Sequence, residues 1–411
     1  MRSWAKLVSA ATAIASTTTA AAALVAGSLI LSACGSCDSI VQQTALPVIA
    51  TGNFDGVERD QAGHRIFFAD QTNHGIDVVD ISGSPRLMGT VVVPEIPNGL
   101  AYAPDRHRLY AGLNGGTVAV IDADPNSLQF LHLIDRVTVD VANADLLDYS
   151  PKTHTLYAST ADSNFVVAVD VNTDKVTNRY DLNVPVEQPR FDEADGKLYV
   201  TTSGTDSLVQ LDAVTGIVTR TFTVLKCHPK GLAINPTRQL AVAACSGSTA
   251  VFNLRTGANE VSRTIPGGDL VSYDPKMDRF LVGSAHGPRD SSVGVLDGDG
   301  QFVAQVQSSP HARAAVFDDS TGTVYAASAV GLLSFSPSSC APPPDWVPLA
   351  GGVLTYTVPL AAFGLFLFLY ARRRANAPVG PSWEQLRADD LAAERQRIRD
   401  LEDAIYGPET G

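Results

Sequence analysis

Aromatic residues make up only 7% of this 411-residue chain and charged residues 18%, with 30 Lys and Arg against 43 Asp and Glu. The first 33 residues carry +2 and residues 372–411 carry −1, so residues 34–371 carry −14, against −13 for the whole chain. A body this acidic repels phosphate backbones. We therefore expect no nucleic-acid partner.

Motifs of three common enzyme classes are also missing. The chain has no Gly-x-Ser-x-Gly elbow, no His-Glu-x-x-His and no phosphate-binding Gly-x-x-x-x-Gly-Lys-Ser/Thr. Its five cysteines include no Cys-x-x-Cys pair within residues 46–340, which disfavours a cysteine zinc site there. Gly (33) and Pro (24) are plentiful, as expected of an all-β chain that turns every few residues.

The sequence does contain a motif similar to Leu-Tyr-Val-Thr, followed about ten residues later by Val-x-x-Asp. It recurs seven times, and the copies centre on Phe67, Tyr110, Tyr157, Tyr199, Ala241, Leu281 and Tyr325. A period of about 40 to 45 residues that contains short alternating strands is typical of propeller blades. The repeat predicts an all-β, seven-bladed β-propeller over 46–340.

Each unit reads as an inner strand, the Leu-Tyr strand, the Val-x-x-Asp strand and an outer strand, as in 218–224 of the fourth copy. The seventh unit ends before supplying its outer strand, and Leu46-Pro-Val-Ile-Ala50 stands unused ahead of the first. We expect this N-terminal strand to complete the last blade and to close the ring.

The fourth copy, Lys197-Leu-Tyr-Val-Thr201 with Leu208-Val-Gln-Leu-Asp212, resembles the YVTN repeat of YncE-like seven-bladed propellers of the cell surface and periplasm. Similar phrases are Leu109-Tyr-Ala-Gly and Leu156-Tyr-Ala-Ser, and the resemblance covers about residues 46–336. The last three copies depart from it, because Ala241 replaces the Tyr, Asn253 replaces the Asp and the seventh copy lacks that Asp. Known propellers of this outline include lactonases and quinoproteins, but no residues here carry such an activity.

Both ends carry membrane signals. Arg2 and Lys6 precede an uncharged Ala/Thr/Val/Leu-rich stretch that ends at Leu31-Ser-Ala-Cys34, so 1–33 is predicted to be a signal peptide. Leu-Ser-Ala-Cys resembles the lipobox of bacterial lipoproteins, which implies lipidation of Cys34. The alternatives are an ordinary cleavage site beside Cys34 or an uncleaved anchor. Residues 34–45 are read as a linker.

Residues 346–371 contain no charge and are predicted to form a transmembrane helix, since at 1.5 Å each they would reach about 39 Å, enough to cross a bilayer core. Arg372, Arg373 and Arg374 follow directly, so the positive-inside rule places the tail, 372–411, in the cytoplasm and the repeats outside. Within the tail, Ser382 followed by Gln385 resembles a capping box and predicts a helix over 383–406. Three alternatives remain for that helix: it is exposed to solvent, lies next to the membrane or binds a partner.

An exported chain with a lipidated Cys34 leaves four cysteines for disulfides. We predict Cys37–Cys340 across the closing seam and Cys227–Cys245 within one blade, although four cysteines permit three pairings and free buried thiols remain the alternative. The aspartates that recur at the end of the Val-x-x-Asp strand are assigned to turn hydrogen bonds, because one active site does not need a copy per blade. They are Asp80, Asp122, Asp170, Asp212 and Asp297.

The residue type at one position of the repeat, twelve residues before most of the repeat centres, varies from blade to blade. These residues are predicted to surround one mouth of the central channel: Asp55, Asn98, Asp145, Glu187, Lys230, Asp269 and Arg313. Such a ring could bind a polar ligand or form a solvated funnel of compensating charges. With His228 and His311 two positions upstream, Glu187 could instead hold a divalent metal.

These features predict a membrane-tethered, extracytoplasmic propeller that acts as a binding or interaction scaffold at the cell envelope. Its partner would be an envelope protein, a glycan or a small ligand. The alternative is an envelope enzyme, metal-dependent if the histidines hold an ion, that uses the polar channel mouth. Signalling across the membrane is a third hypothesis.

Overall fold

The computed structural model describes residues 42–44, 53–160, 163–265, 267–284, 291–337, 368 and 383–407. The chain divides into two units, residues 1–342 and 343–411. The first is a β-propeller of seven four-stranded antiparallel sheets, which confirms the predicted fold.

Six blades are each built from four consecutive strands. Blade one contains β2 Phe54–Asp60, β3 Arg65–Asp70, β4 Gly75–Asp80 and β5 Arg86–Val92. Blade two contains β6 Pro97–Ala103, β7 Arg108–Leu113, β8 Thr117–Asp122 and β9 Leu133–Thr138. Blade three contains β10 Leu147–Ser150, β11 Thr155–Thr160, β12 Phe165–Asp170 and β13 Lys175–Asp181.

Blade four contains β14 Pro189–Asp192, β15 Lys197–Thr202, β16 Ser207–Asp212 and β17 Val218–Thr223, with a 3-10 turn at Ser203–Thr205. Blade five contains β18 Leu232–Asn235, β19 Leu240–Cys245, β20 Ser248–Asn253 and β21 Asn259–Ser262. Blade six contains β22 Val271–Asp274, β23 Arg279–Ser284, β24 Ser292–Asp297 and β25 Phe302–Gln307.

Blade seven combines the two ends of the repeat region. Its strands are β26 Val316–Asp318, β27 Thr323–Ser328, β28 Gly331–Phe335 and the N-terminal β1 Gln42–Thr44. Strand β1 pairs antiparallel with β28 in the register Gln43↔Leu333. An N-terminal strand therefore supplies the missing outer strand and covers the open edge of β28.

The position predicted for the closing strand was wrong. The pairing residues lie at Gln42–Thr44, inside the predicted 34–45 linker, whereas 46–50 lies outside the described residues. Apolar character was a poor guide because the outer strand of a blade is its most exposed one, as the alternating exposure of β5 and β13 shows. An outer strand needs backbone pairing more than apolar side chains.

The repeated motif forms the core, because it supplies the second and third strands of each blade and these strands are buried on both faces. Strands β15 and β12 are almost entirely buried along their length. Tyr199 is fully buried and packs with Phe222 and Phe252, which belongs to the next blade. Apolar contact between neighbouring sheets therefore covers the faces that one small sheet would leave open.

The recurring aspartates end the third strands and bind the following turns, as predicted. Asp80 Oδ1 accepts the Ser82 N–H at 2.8 Å, and Asp170 Oδ1 accepts the Asn172 N–H at 2.8 Å. Hydrogen bonds from the Ser82 hydroxyl and backbone N–H hold the pKa of Asp80 below the ordinary range, and the bond from the Asn172 backbone N–H does the same for Asp170. Their role is to shape turns.

One buried carboxylate interrupts this pattern in blade one. Asp77 is 3% exposed on β4, at a position filled by Ala119, Val167 and Val209 in the next three blades. Its Oδ1 accepts a hydrogen bond from Thr90 Oγ1 at 2.5 Å. Burial, with a smaller contribution from Asp70, raises the pKa of Asp77 to about 6 although the Thr90 bond lowers it.

Asp77→Asn should therefore become more stabilising as the pH rises. The pKa of Asp77 is above its unfolded value near 3.8, so ionisation costs the folded state stability as the pH rises from about 4 through 6. We expect the free energy of unfolding of Asp77→Asn to exceed that of the parent by about 1 to 2 kcal/mol at pH 8 and to match it at pH 4. Urea unfolding at both pH values measures this difference.

Asp80→Asn is the matched control, because the lowered pKa of Asp80 predicts the opposite trend, a loss of stability that appears above pH 4. A gain from Asp77→Asn that is the same at pH 4 and pH 8 would contradict the assignment.

The second unit contains the helix α1, Trp383–Tyr406, over which Leu391, Ile398 and Leu401 are exposed. Within the part of the chain that the structure describes, no helix has the length and apolar character needed to cross a membrane. The predicted signal peptide 1–33 and span 346–371 lie outside the described residues, apart from Phe368, as do Cys34, Cys37 and Cys340.

Candidate functional site

Four of the predicted mouth residues occupy the same place in four successive blades. In each, the backbone N–H donates to the carbonyl oxygen of the residue fourteen positions later, across 2.7 to 2.9 Å. The pairs are Asp145 with Ser159, Glu187 with Thr201, Lys230 with Ala244, and Asp269 with Gly283. These positions immediately precede the inner strands, so blade symmetry arranges them around one end of the channel.

An amide and carboxylate network joins the mouth residues of blades one and two. Gln71 Nε2 donates to Asp55 Oδ2 at 3.0 Å and to Asn98 Oδ1 at 3.2 Å. Asn98 Nδ2 donates in turn to Asn114 Oδ1 at 2.9 Å and to Asn143 Oδ1 at 3.0 Å. The polar side chains in this sector therefore satisfy one another.

Charged contacts connect the mouth residues of blades five to seven. Lys230 Nζ lies 3.2 Å from Asp269 Oδ1, and Arg313 Nε lies 3.5 Å from Asp269 Oδ2. In blade four, Glu187 Oε1 accepts a hydrogen bond from Ser203 Oγ at 2.7 Å. Most side chains of the ring therefore have a polar or charged partner within the protein.

The charges of the ring influence one another across the channel. Burial, together with the charges of Asp269 and Glu187, raises the pKa of Asp55 to about 6, against the opposing charges of Arg313 and Lys230. Burial also raises the pKa of Glu187, against the Ser203 hydrogen bond and Lys230. The structure therefore brings the predicted mouth residues together as a partly desolvated, mixed-charge ring.

The predicted metal ligands His228, His311 and Glu187 do not form a metal site. Among the described residues, which include all three, no group of three or more His, Cys, Asp or Glu side chains is placed to hold a metal ion. The backbone φ is 47° at His228 and 67° at His311, so both residues have a left-handed rather than an extended backbone conformation. The metal prediction assumed that residues two positions before the mouth residues point to the same side. That holds only on an extended strand, so the prediction was wrong here.

His228 is instead held by the connection between β15 and β16 of blade four. Its backbone N–H donates to Asp206 Oδ1 at 2.7 Å, and its Nδ1 lies 3.1 Å from the Ser203 carbonyl oxygen. A disulfide joins the adjacent Cys227 to Cys245, with 4.6 Å between their Cα atoms, as the pairing prediction required. This bond anchors the loop that leads to Lys230.

A cavity of about 360 Å³ lies inside the channel, beginning one residue beyond the ring. The inner strands of all seven blades line it, and its polar lining includes Glu58, Asp148, Gln188 and Arg190. Its volume is at the small end of the range for ligand pockets.

Sequence reasoning missed Glu58, Asp148 and Arg190, which lie three positions beyond the ring in blades one, three and four. The corresponding residues in the other blades are small or apolar: Ala101, Ala233, Ser272 and Val316. Comparing the repeats at every position of the inner strand, rather than only at its start, would have found them.

The guanidinium of Arg190 is fixed by neighbouring inner strands. Its Nε donates to the Leu232 carbonyl oxygen at 2.8 Å, and its Nη1 donates to the Leu147 carbonyl oxygen at 3.1 Å and to Asp148 Oδ1 at 3.0 Å. Asp148 Oδ2 accepts the Phe191 N–H at 2.6 Å. A rigid cationic group therefore projects into the cavity.

Glu58 faces the same cavity from blade one. Burial, with a smaller contribution from Asp148, raises the pKa of Glu58 to about 7, against the lowering effects of Arg190 and of the Arg59 backbone N–H and charge. Within the described part of the chain its carboxylate accepts no side-chain hydrogen bond. A carboxyl group that is half ionised near neutral pH thus borders the cavity.

No protein-family model matches the chain, and no curated protein matches it. Among solved structures, hydrazine synthase of Kuenenia stuttgartiensis is similar with a TM-score of 0.60 and 17% identity, over 73% of this chain and 98% of that chain. A structure of U3-55K is similar with a TM-score of 0.58 and 12% identity, over 72% and 98%. Likenesses at these identities show the fold alone.

Proposed function

We propose that this protein is a membrane-tethered binding module that displays its propeller outside the cytoplasm and holds a small polar ligand in the propeller channel. The observation that carries the binding part is the cavity of about 360 Å³ bordered by Glu58 and Arg190. Several polar groups of the ring above it already have partners within the protein, whereas these two groups retain capacity for a ligand.

The location rests on the sequence. The basic and apolar leader over 1–33, the lipobox-like Leu31-Ser-Ala-Cys34, and the uncharged stretch 346–371 before Arg372 support export and tethering. The resemblance of the repeat to YVTN propellers of the surface and periplasm supports the same location. The metal-dependent form of the enzyme alternative has less support, because His228, His311 and Glu187 are not assembled as ligands among the described residues.

Retention of a small molecule tests the binding part. The full chain, purified in detergent, is incubated with a low-molecular-weight cell extract, desalted and denatured, and the released molecules are measured by mass spectrometry. We expect the parent chain to retain a small polar molecule. Ala314→Trp should lose it, because Ala314 lines the cavity and an indole there fills the space without altering a polar group.

Val330→Trp, an exposed substitution in the β27–β28 turn, is the matched control and should retain the molecule. Equal retention by Ala314→Trp and the parent, or no retention by either, would reject binding in the channel. A released molecule that is chemically altered during incubation would instead favour the enzyme alternative.

Labelling with a membrane-impermeant maleimide tests the location. We expect intact cells to label Val214→Cys, an 82% exposed site on the propeller, above the level of the parent chain. Leu401→Cys, in the tail helix, should be labelled only after lysis. The reverse pattern would overturn the proposed orientation.

A further inference from the structure

Two polar groups of opposite charge project into the channel cavity from widely separated blades. Glu58 belongs to blade one and Arg190 to blade four, three blades away, the largest separation that a ring of seven permits. Both lie three residues beyond the mouth ring and line the same cavity. They therefore face each other at one level of the channel.

These two groups do not neutralise each other directly. Glu58 experiences the charge of Arg190, but no ion pair within 4.0 Å joins them among the described residues. Arg190 uses Nε and Nη1 for protein contacts, and its Nη2 has no partner in the described part of the chain. The carboxyl group of Glu58 and the two N–H groups of Arg190 Nη2 are thus open to a ligand.

The other charges of the cavity wall are already paired. Arg59 Nη2 lies 3.3 Å from Asp274 and 3.4 Å from Asp319, and its Nη1 donates to the Phe317 carbonyl oxygen. Asp148 is held by Arg190. A ligand that enters the cavity therefore meets the unpaired carboxyl group of Glu58 and Nη2 of an Arg190 guanidinium whose Nη1 is paired with Asp148.

This arrangement discriminates by charge. A purely anionic ligand is repelled by Glu58 and Asp148, and a purely cationic ligand leaves the N–H groups of Arg190 Nη2 without an acceptor. We propose that the channel cavity binds a small zwitterion, with its ammonium group on Glu58 and its carboxylate on Arg190. This inference rests on the proposed function and specifies the chemical class of its ligand.

Binding should be linked to protonation of Glu58. The charged groups that act on Glu58 are Arg190, Asp148 and Arg59, and with burial they place its pKa at about 7. An ammonium group beside the carboxylate favours the ionised form. Binding should therefore release a proton and become several-fold tighter between pH 6 and pH 8.

Isothermal titration calorimetry of the full chain in detergent tests the proposal. The probes are glycine, β-alanine, 4-aminobutyrate and 6-aminohexanoate, which vary the distance between the two charges. We expect one length to bind at least about tenfold more tightly than butylamine or butyrate, because only a zwitterion makes both charge-assisted contacts.

Two substitutions at the site should each weaken the best probe at least about tenfold. Glu58→Gln removes the negative charge, and Arg190→Lys keeps the positive charge but removes the N–H groups of Nη2. Glu260→Gln, exposed on β21, is the matched control and should change nothing. If Arg190→Lys does not fold because its backbone contacts are lost, Glu58→Gln still decides the result.

The proposal is overturned if Glu58→Gln leaves the affinity of the best probe unchanged. It is also overturned if a single-charge probe binds as well as the best zwitterion, or if none of the four zwitterions binds. In the last two cases a molecule retained by the parent chain and lost in Ala314→Trp would leave the proposed function standing, and only the ligand class would be wrong.

Discussion

Arg65→Met is expected to lower the free energy of unfolding by about 3 to 5 kcal/mol, because it leaves the carboxylate of Asp60 buried without its partner. The side chains of this pair are only 5% and 4% exposed, and Arg65 Nε donates to Asp60 Oδ2 at 3.0 Å. Arg65 Nη2 also donates to the Ala123 carbonyl oxygen of blade two at 2.9 Å, and the guanidinium lies 4.9 Å from the centre of the Phe130 ring.

The double variant Arg65→Met with Asp60→Asn should lose less stability than the single one. The asparagine in place of Asp60 is uncharged, and its side-chain oxygen can still accept the Gly63 N–H that Asp60 Oδ1 accepts at 3.0 Å. Arg86→Met is an exposed control, since Arg86 is 67% exposed in its pair with Asp80 and should contribute less than about 1 kcal/mol.

Urea unfolding of the full chain in detergent provides all three values. A loss of under about 1 kcal/mol for Arg65→Met would show that this inter-blade contact does not depend on the buried charge pair.

Gly99→Val should destabilise the propeller by about 3 kcal/mol and disturb the channel mouth. A Cβ atom at Gly99 would lie 2.6 Å from the Leu146 Cα atom and 2.7 Å from the Asp145 carbonyl oxygen. Both contacts are to the backbone of the next blade, which cannot rotate away as a side chain can. The inner strands would have to separate where the Gly99 N–H donates to the Asp145 carbonyl oxygen at 3.0 Å.

Gly89→Val is the matched control. Gly89 lies on the outer strand β5, and a Cβ atom there meets nothing within 4 Å, so valine should be neutral or slightly stabilising. Thermal unfolding of both variants, together with retention of the small molecule, provides the comparison. Equal melting temperatures for the two variants would mean that the inner strands tolerate separation at Gly99.

The number of blades and their strand order were predictable because each blade contains one copy of the same buried sequence motif. Leu198, Tyr199 and Val200 are fully buried on β15, as the repeat predicts for a second strand. Turn binding by Asp80 and Asp170 was predictable for a similar reason: it depends on contacts two residues away.

Local pattern was less informative where the chain leaves a regular strand. The closing strand lies at Gln42–Thr44 because backbone pairing with β28 selects it, and its side chains carry little apolar signal. His228 and His311 share a place in the repeat, but their left-handed backbone conformation removes the alternation on which the metal hypothesis depended.

Sequence periodicity alone establishes a ring of seven sheets and places a variable polar residue at the start of each inner strand. It does so because neighbouring strands in one blade are separated by short turns, which makes their packing nearly local. The opposition of Glu58 and Arg190 is different, since 132 positions separate them in the chain. Only closure of the ring brings them to one cavity, and the contacts of Arg190 with Leu147 and Leu232 use Nε and Nη1, which leaves Nη2 for a ligand.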